Sequence, residues 1–140
     1  MTHAPSKPSI ALFMFFSLAI QNGQADPLPI EATSSVKEVM LALTIPASDY
    51  IWSIQESPED DAAWDLILLN ADKLARSGKL LLDESRVQEG EIWSQQAHAL
   101  IDAAGIAAKA SKEKSFDLLM DAGDAIYNSC ASCHAKYLPE

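Results

Sequence analysis

A three-four repeat of apolar side chains runs through residues 111–137, SKEKSFDLLMDAGDAIYNSCASCHAKY. Side chains three and four residues apart lie on one face of a helix, so this repeat predicts a helix with one buried side. We expect the helix to start near Ser111 or Lys112 and to run to the end of the pattern. Its repeat comprises Phe116, Leu119, Met120, Gly123, Ile126, Tyr127, Cys130, Cys133, His134 and Tyr137.

Two helical patterns occupy the first part of the chain. Ser35 precedes Glu38 by three residues, which is the spacing of a capping box at the start of a helix. Pro46 has no N–H to continue the hydrogen-bond ladder, so this helix should kink or restart there. A second helix is expected to begin with Ser57 as its cap and Pro58 at its first position, and to stop near 78.

A third pattern runs from about 88 to 110, with Trp93, Ala97 and Leu100 on one face. No alternating pattern indicates a strand. Four amphipathic segments with short connections predict an all-α fold, an antiparallel four-helix bundle whose C-terminal helix carries the two cysteines. Trp52, Trp64 and Trp93 fall on apolar stripes and are interpreted as core residues.

Composition excludes several functional classes. The 140 residues include 20 acidic and 10 basic side chains, giving a formal net charge of −10. Nucleic-acid binding requires clustered Lys and Arg, so this balance argues against a nucleic-acid partner and against anionic lipid. The sequence has no candidate acid–base residues beside the cysteines, so we do not expect an enzyme.

The N-terminal segment, residues 1–25, has the pattern of a secretory signal peptide. Lys7 supplies a positive charge, and the apolar run from Ile10 to Ile20 follows it. Gly23 and Ala25 suit cleavage after Ala25. The run is too short to span a bilayer, which takes about twenty residues, although an uncleaved anchor is the alternative. The expected mature chain is one domain, residues 26–140, exported to a compartment where cysteines meet oxidants.

The stretch from Cys130 to His134 reads C-x-x-C-H, the attachment sequence for c-type haem. On a helix, Cys130 and Cys133 share a face and can each add a thiol across one haem vinyl group, while His134 can bind the iron as proximal ligand. One such motif predicts one covalent haem c. Three alternatives stay open: a thiol–disulfide centre, which usually sits at a helix N-terminus, a zinc site, which would lack a ligand, and a plain disulfide.

The chain resembles the class II c-type cytochromes, the cytochrome c-prime group and its low-spin periplasmic relatives. The likeness spans roughly residues 34–137. It rests on C-x-x-C-H near the C-terminus, on the segment SVKEVM at 35–40, and on Pro46-Ala47 followed by Trp52. The resemblance implies a periplasmic four-helix bundle with one covalent haem, often dimeric through its first two helices, so a homodimer is left open.

The resemblance places Met40 on the distal side of the haem, as the sixth ligand of the iron. The alternative for Met40 is ordinary core packing. Met120 lies fourteen residues before His134, about 21 Å along the same helix, and cannot reach the opposite side of that iron. His98 flanks its helix's apolar face and is expected in solvent. Tyr127, one turn before Cys130, is expected near the haem edge.

The sixth position separates two functions. With Met40 bound, the iron is six-coordinate and suited to electron transfer, which makes a periplasmic electron carrier the leading hypothesis. With the position open, the protein would bind nitric oxide or carbon monoxide, as cytochrome c-prime does. An acidic electron carrier would dock on a redox partner with a basic surface.

Overall fold

The structure, a computed structural model, describes residues 34–138. Four helices joined by short connections make up this part of the chain, and no strand occurs in it. The predicted all-α fold class is therefore confirmed. None of the helices within 34–138 is long and apolar enough to cross a membrane. The predicted signal peptide, residues 1–25, lies outside the described residues.

The first helix, residues 36–52, begins where the sequence predicts. Glu38 donates its backbone N–H to Ser35 Oγ at 3.3 Å, and Ser35 N donates to Glu38 Oε2 at 2.7 Å, so the capping box is confirmed. The helix is interrupted before Pro46 and resumes its α-helical form beside it, so the predicted restart is confirmed. It is α-helical over Val36–Val39 and Ile45–Trp52, and between them Met40–Thr44 form a π turn.

The second helix, Asp61–Leu81, starts three residues later than predicted. The expected cap, Ser57, was wrong, because the Asp60 carboxylate accepts the backbone N–H of Ala63 at 2.8 Å and takes that role. Pro58 lies in the preceding connection, where its carbonyl oxygen accepts a hydrogen bond from Trp64 Nε1 at 3.2 Å.

The predicted stop of the second helix at Gly78 was also wrong. Gly78 is buried inside the helix, against the third helix. A Cβ built on Gly78 would lie 2.6 Å from Ile101 Cγ1 and 3.1 Å from the Ala97 carbonyl oxygen. The missing side chain therefore permits a close approach of two helices instead of ending one of them.

The third helix, Glu91–Glu113, begins and ends three residues later than predicted, and the fourth spans Phe116–Tyr137. Lys114 adopts a left-handed conformation with φ of +51° and ends the third helix. Ser115 then caps the fourth helix by accepting the N–H of Leu118 at 3.3 Å. The predicted start of the fourth helix near Ser111 or Lys112 was wrong, because the third helix continues through both residues.

Hydrogen bonds between helices fix which ends meet. Ser111 Oγ, near the end of the third helix, donates to the Trp64 carbonyl near the start of the second at 2.6 Å. Trp93 Nε1, near the start of the third helix, donates to the Leu81 carbonyl at the end of the second at 2.7 Å. The third helix packs against the second and the fourth, and the first helix lies against those two.

The buried side chains form two separate clusters. The main cluster fills the body of the bundle and contains Trp64 and most of the buried alanines. The smaller one, which we call the terminal cluster, lies where the cysteine motif is found. The buried members of the terminal cluster are Val39, Leu81, Trp93 and Ala97. Trp64 and Trp93 are confirmed as core residues, while Trp52 is half-buried.

The contact at Gly78 gives a direct test of the helix packing. We expect Gly78→Ala to lower the free energy of unfolding by about 1–3 kcal/mol, because the new methyl group overpacks Ile101 and a backbone carbonyl. Gly105→Ala is the matched control. A Cβ at Gly105 meets nothing within 4 Å, so alanine there should stabilise the helix by up to about 1 kcal/mol. Urea unfolding measures both values, and equal effects would contradict the packing.

Candidate functional site

The C-x-x-C-H motif occupies the last two turns of the fourth helix. Cys130 and Cys133 are both half-buried, one turn apart on the same side of the helix. Cys130 packs against the main cluster and Cys133 against the terminal cluster. His134 is exposed, and within residues 34–138 its imidazole has no hydrogen-bond partner. The two thiols thus face the interior while the imidazole is available from solvent.

Met40 meets the motif across two cavities that share part of their lining. The inner cavity, about 20 Å³, is lined by Met40, Leu81, Trp93, Gln96, Ala97, Leu100, Ser129, Cys130 and Cys133. The second, about 280 Å³, we call the motif groove. It is lined by Val36, Met40, Gln88, Trp93, Cys133, His134, Tyr137 and Leu138. The structure therefore brings together all four predicted site residues, from opposite ends of the chain.

Trp93 and Tyr137 form a wall of the motif groove. The two rings meet edge to face with centroids 5.3 Å apart. The Tyr137 hydroxyl donates to the Glu89 carbonyl at 2.9 Å and accepts the backbone N–H of Trp93 at 3.2 Å. Gly90, the residue before the third helix, has no side chain to cap it. The hydroxyl of Tyr137 therefore satisfies one of the free N–H groups at that helix start.

Partial burial raises the pKa of both thiols. Burial raises the pKa of the Cys130 thiol above its ordinary value, and burial together with the nearby Cys130 raises the pKa of Cys133. Thiol–disulfide centres have the opposite shift, because a helix N-terminus or a cation lowers the pKa of their reactive thiol. This environment disfavours the thiol–disulfide interpretation of the motif.

The residues weighed as other ligands or neighbours lie elsewhere. His98 is exposed, as predicted, and its Nδ1 is 2.8 Å from the Ser94 carbonyl oxygen. Met120 lines a different groove, together with Trp52 and Tyr127. Tyr127 is 62% exposed and packs edge to face against Trp52, and its expected place near a haem edge stays a prediction. Within 34–138, no group of three His, Cys, Asp or Glu side chains is arranged to hold a metal ion.

Two residues that line the cavities, and a buried arginine in the connection before the third helix, escaped the sequence analysis. Gln96 lines the inner cavity and Gln88 the motif groove. Arg86 is buried in the connection before the third helix, where its Nε donates to the Ser34 carbonyl at 2.6 Å and its Nη1 to the Leu80 carbonyl at 2.9 Å. A buried arginine in a polar connection has no periodicity that would mark it in a single sequence.

The hydroxyl of Tyr137 can be tested alone. We expect Tyr137→Phe to lower the free energy of unfolding by about 1–2 kcal/mol, because the N–H of Trp93 loses its acceptor while the ring stays in place. Tyr127→Phe serves as the control, since the Tyr127 hydroxyl has no hydrogen-bond partner within 34–138. The comparison is made by urea unfolding. An equal loss of stability in the two variants would show that the hydrogen bond does not matter.

The raised thiol pKa predicts a pH dependence. Only the thiolate reacts with iodoacetamide, so alkylation of the folded, haem-free chain should reach half its maximal rate at a higher pH than in a peptide of residues 128–136. Mass spectrometry follows the modification of Cys130 and Cys133. A lower midpoint in the folded chain than in the peptide would indicate an activated thiol and favour the thiol–disulfide interpretation.

Comparisons of the chain with models of protein families, with curated proteins and with solved structures found no match. The assignment of a function therefore depends on the motif and on the side chains that surround it. Two thiols one turn apart, an available imidazole on the next residue and a thioether across the same groove form a donor set that suits a covalently attached haem.

Proposed function

We propose that the protein is a periplasmic c-type cytochrome of the class II group, which carries one covalent haem c and transfers electrons. The observation that carries the proposal is that Met40, far from the motif in sequence, lines both cavities beside Cys130 and Cys133. The C-x-x-C-H motif alone predicts attachment and a proximal ligand. A thioether facing it supplies the sixth ligand that an electron carrier uses.

The proposed architecture is an antiparallel four-helix bundle whose fourth helix holds the haem. Contacts between the end of one helix and the start of another support it. Ser111 with Trp64 and Trp93 with Leu81 pair the third helix with the second in opposite directions. Tyr137 with Trp93 does the same for the fourth helix and the third. Short connections between consecutive helices fit this topology.

Each residue of the site has a distinct role in the proposal. When bound, the haem supplies an iron that cycles between ferric and ferrous. Cys130 and Cys133 hold it through two thioether bonds, and His134 is the proximal ligand. Met40 is the sixth ligand, and a Met/His pair raises the reduction potential. Trp93, Leu81 and Ala97 exclude water from the inner side of the groove, which also tunes that potential.

The net charge of the chain supports the choice of partner. With 20 acidic and 10 basic side chains, the protein should attract a redox protein with a basic docking surface. Steering between opposite charges speeds association at low salt, and salt screens it. An association rate that falls steeply with ionic strength is therefore part of the proposal.

The test is expression of the full chain in a host with haem-attachment machinery, followed by mass spectrometry and absorption spectra. We expect one haem per chain, a sharp split ferrous spectrum and a weak far-red ferric band from methionine ligation. Met40→Ala should lose the far-red band and bind carbon monoxide. Met120→Ala, a methionine outside the site, should keep the parent spectrum.

Each contrary result has a definite meaning. A chain that gains no haem mass would overturn the proposal and return attention to a dithiol. A broad ferrous band that shifts at once with carbon monoxide in the parent protein would show an open sixth position and favour gas binding. An unchanged ferric spectrum in Met40→Ala would show that Met40 is not the ligand.

A further inference from the structure

The two halves of the first helix belong to different hydrophobic clusters. Val39 is buried in the terminal cluster, with Met40 packed against it. Ala47 and Ile51 are buried in the main cluster, and Trp52 Nε1 ties the end of the helix to the Gly123 carbonyl at 3.1 Å. The segment between them, the π turn Met40–Thr44, joins the two packing units. Its geometry therefore sets the direction of Met40 relative to the rest of the bundle.

A regular α-helix could not bury both ends of the first helix. Val39, Leu43, Ala47 and Ile51 are all buried, at intervals of four residues. An α-helix turns about 100° per residue, so the twelve steps from Val39 to Ile51 would exceed three turns by roughly 120°. Val39 and Ile51 could not then face the core together. A π turn accommodates one additional residue and removes most of this excess.

Pro46 lies where the π turn ends. It has no N–H to donate to the carbonyl of Ala42, four residues earlier, and its ring crowds that carbonyl. The preceding residue, Ile45, donates its N–H to Met40 O, five residues back. With an ordinary residue at 46, the helix could close regular α-helical bonds through this segment. Closing the π turn into regular α-helix, with the same number of residues, would turn Met40 by about 100° relative to Ala47 and Ile51.

We propose that Pro46 is a positioning residue, which acts through the π turn to direct the Met40 side chain into the motif groove. This inference rests on the proposed function, because the role of Met40 as sixth ligand belongs to it. Pro46 itself does not line the inner cavity or the motif groove. Its effect is confined to the sixth position and leaves the attachment of the haem through the cysteines unchanged.

The first test is Pro46→Ala in the haem-loaded full chain. We expect one haem per chain by mass spectrometry, a weakened far-red ferric band, and external imidazole bound to the ferric protein about tenfold or more tightly, the scale on which supporting residues alter metal affinity. Pro58→Ala is the matched control, since Pro58 lies in a connection outside every helix and its carbonyl is retained. It should keep the parent spectrum and imidazole affinity.

The second test adds deletion of Ala42 to Pro46→Ala. Ala42 is exposed, so its loss removes no core side chain. The remaining eleven steps from Val39 to Ile51 come within about 20° of three full α-helical turns, so a regular helix would satisfy both clusters. We expect this double variant to regain the far-red band and the imidazole affinity of the parent protein.

The outcomes separate the inference from the proposed function. A folded Pro46→Ala protein with parental imidazole affinity overturns the role of Pro46. If Pro46→Ala fails to take up haem, the double variant decides: parental affinity supports the inference, whereas tighter imidazole binding or failure to take up haem overturns it. A parent chain without haem would instead refute the proposed function.

Discussion

The hydrogen bonds of Trp93 hold together the three helix ends that surround the cysteine motif. Its indole N–H reaches the carbonyl of Leu81 and its backbone N–H reaches the hydroxyl of Tyr137. Trp93 also lines both cavities, so the same residue that joins the helix ends forms a wall of the site. Buried polar groups are costly unless paired, and each of these pairs joins residues from different helices. The position of the fourth helix's last turn depends on them.

The site combines an apolar interior with a polar edge. The inner cavity is walled by Leu81, Ala97 and Leu100, while the motif groove is lined in part by the exposed His134. An apolar wall disfavours the more highly charged state of an iron centre, which is one way a protein raises a reduction potential. Under the proposed function, the same packing that stabilises the terminal cluster also adjusts the chemistry of the haem.

The sequence predicted those features that depend on local patterns. The capping box at Ser35 and the helical face that carries both cysteines follow from short-range spacing, and both agree with the structure. The start of the second helix and the role of Gly78 were wrong because they depend on tertiary context. Asp60 competes with Ser57 for the cap, and Gly78 is required by the third helix.

In the candidate site, too, some features could be predicted from the sequence and others depend on the assembled fold. The motif residues were identified from their spacing, and Met40 came from a family resemblance, since nothing in its own neighbourhood marks it. The π turn could not be predicted, because Pro46 signals only that hydrogen bonding is interrupted. That the interruption is a π turn depends on tertiary packing, because the two ends of the first helix are buried in different clusters. Arg86, which binds Ser34 and Leu80 from a connection, is likewise defined only by the assembled fold.

Under the proposed function, the division of the core into two clusters has a consequence for haem attachment. No residue of the cysteine motif is a buried member of the main cluster, so the body of the bundle can assemble before anything occupies the motif groove. The terminal cluster has fewer buried members than the main cluster, and regions with few buried apolar contacts open first in a folded protein. If the chain is exported as proposed, local opening at this end would expose the thiols while the main cluster stays packed. Under the same proposal, the end that would receive the haem would be the last to become rigid.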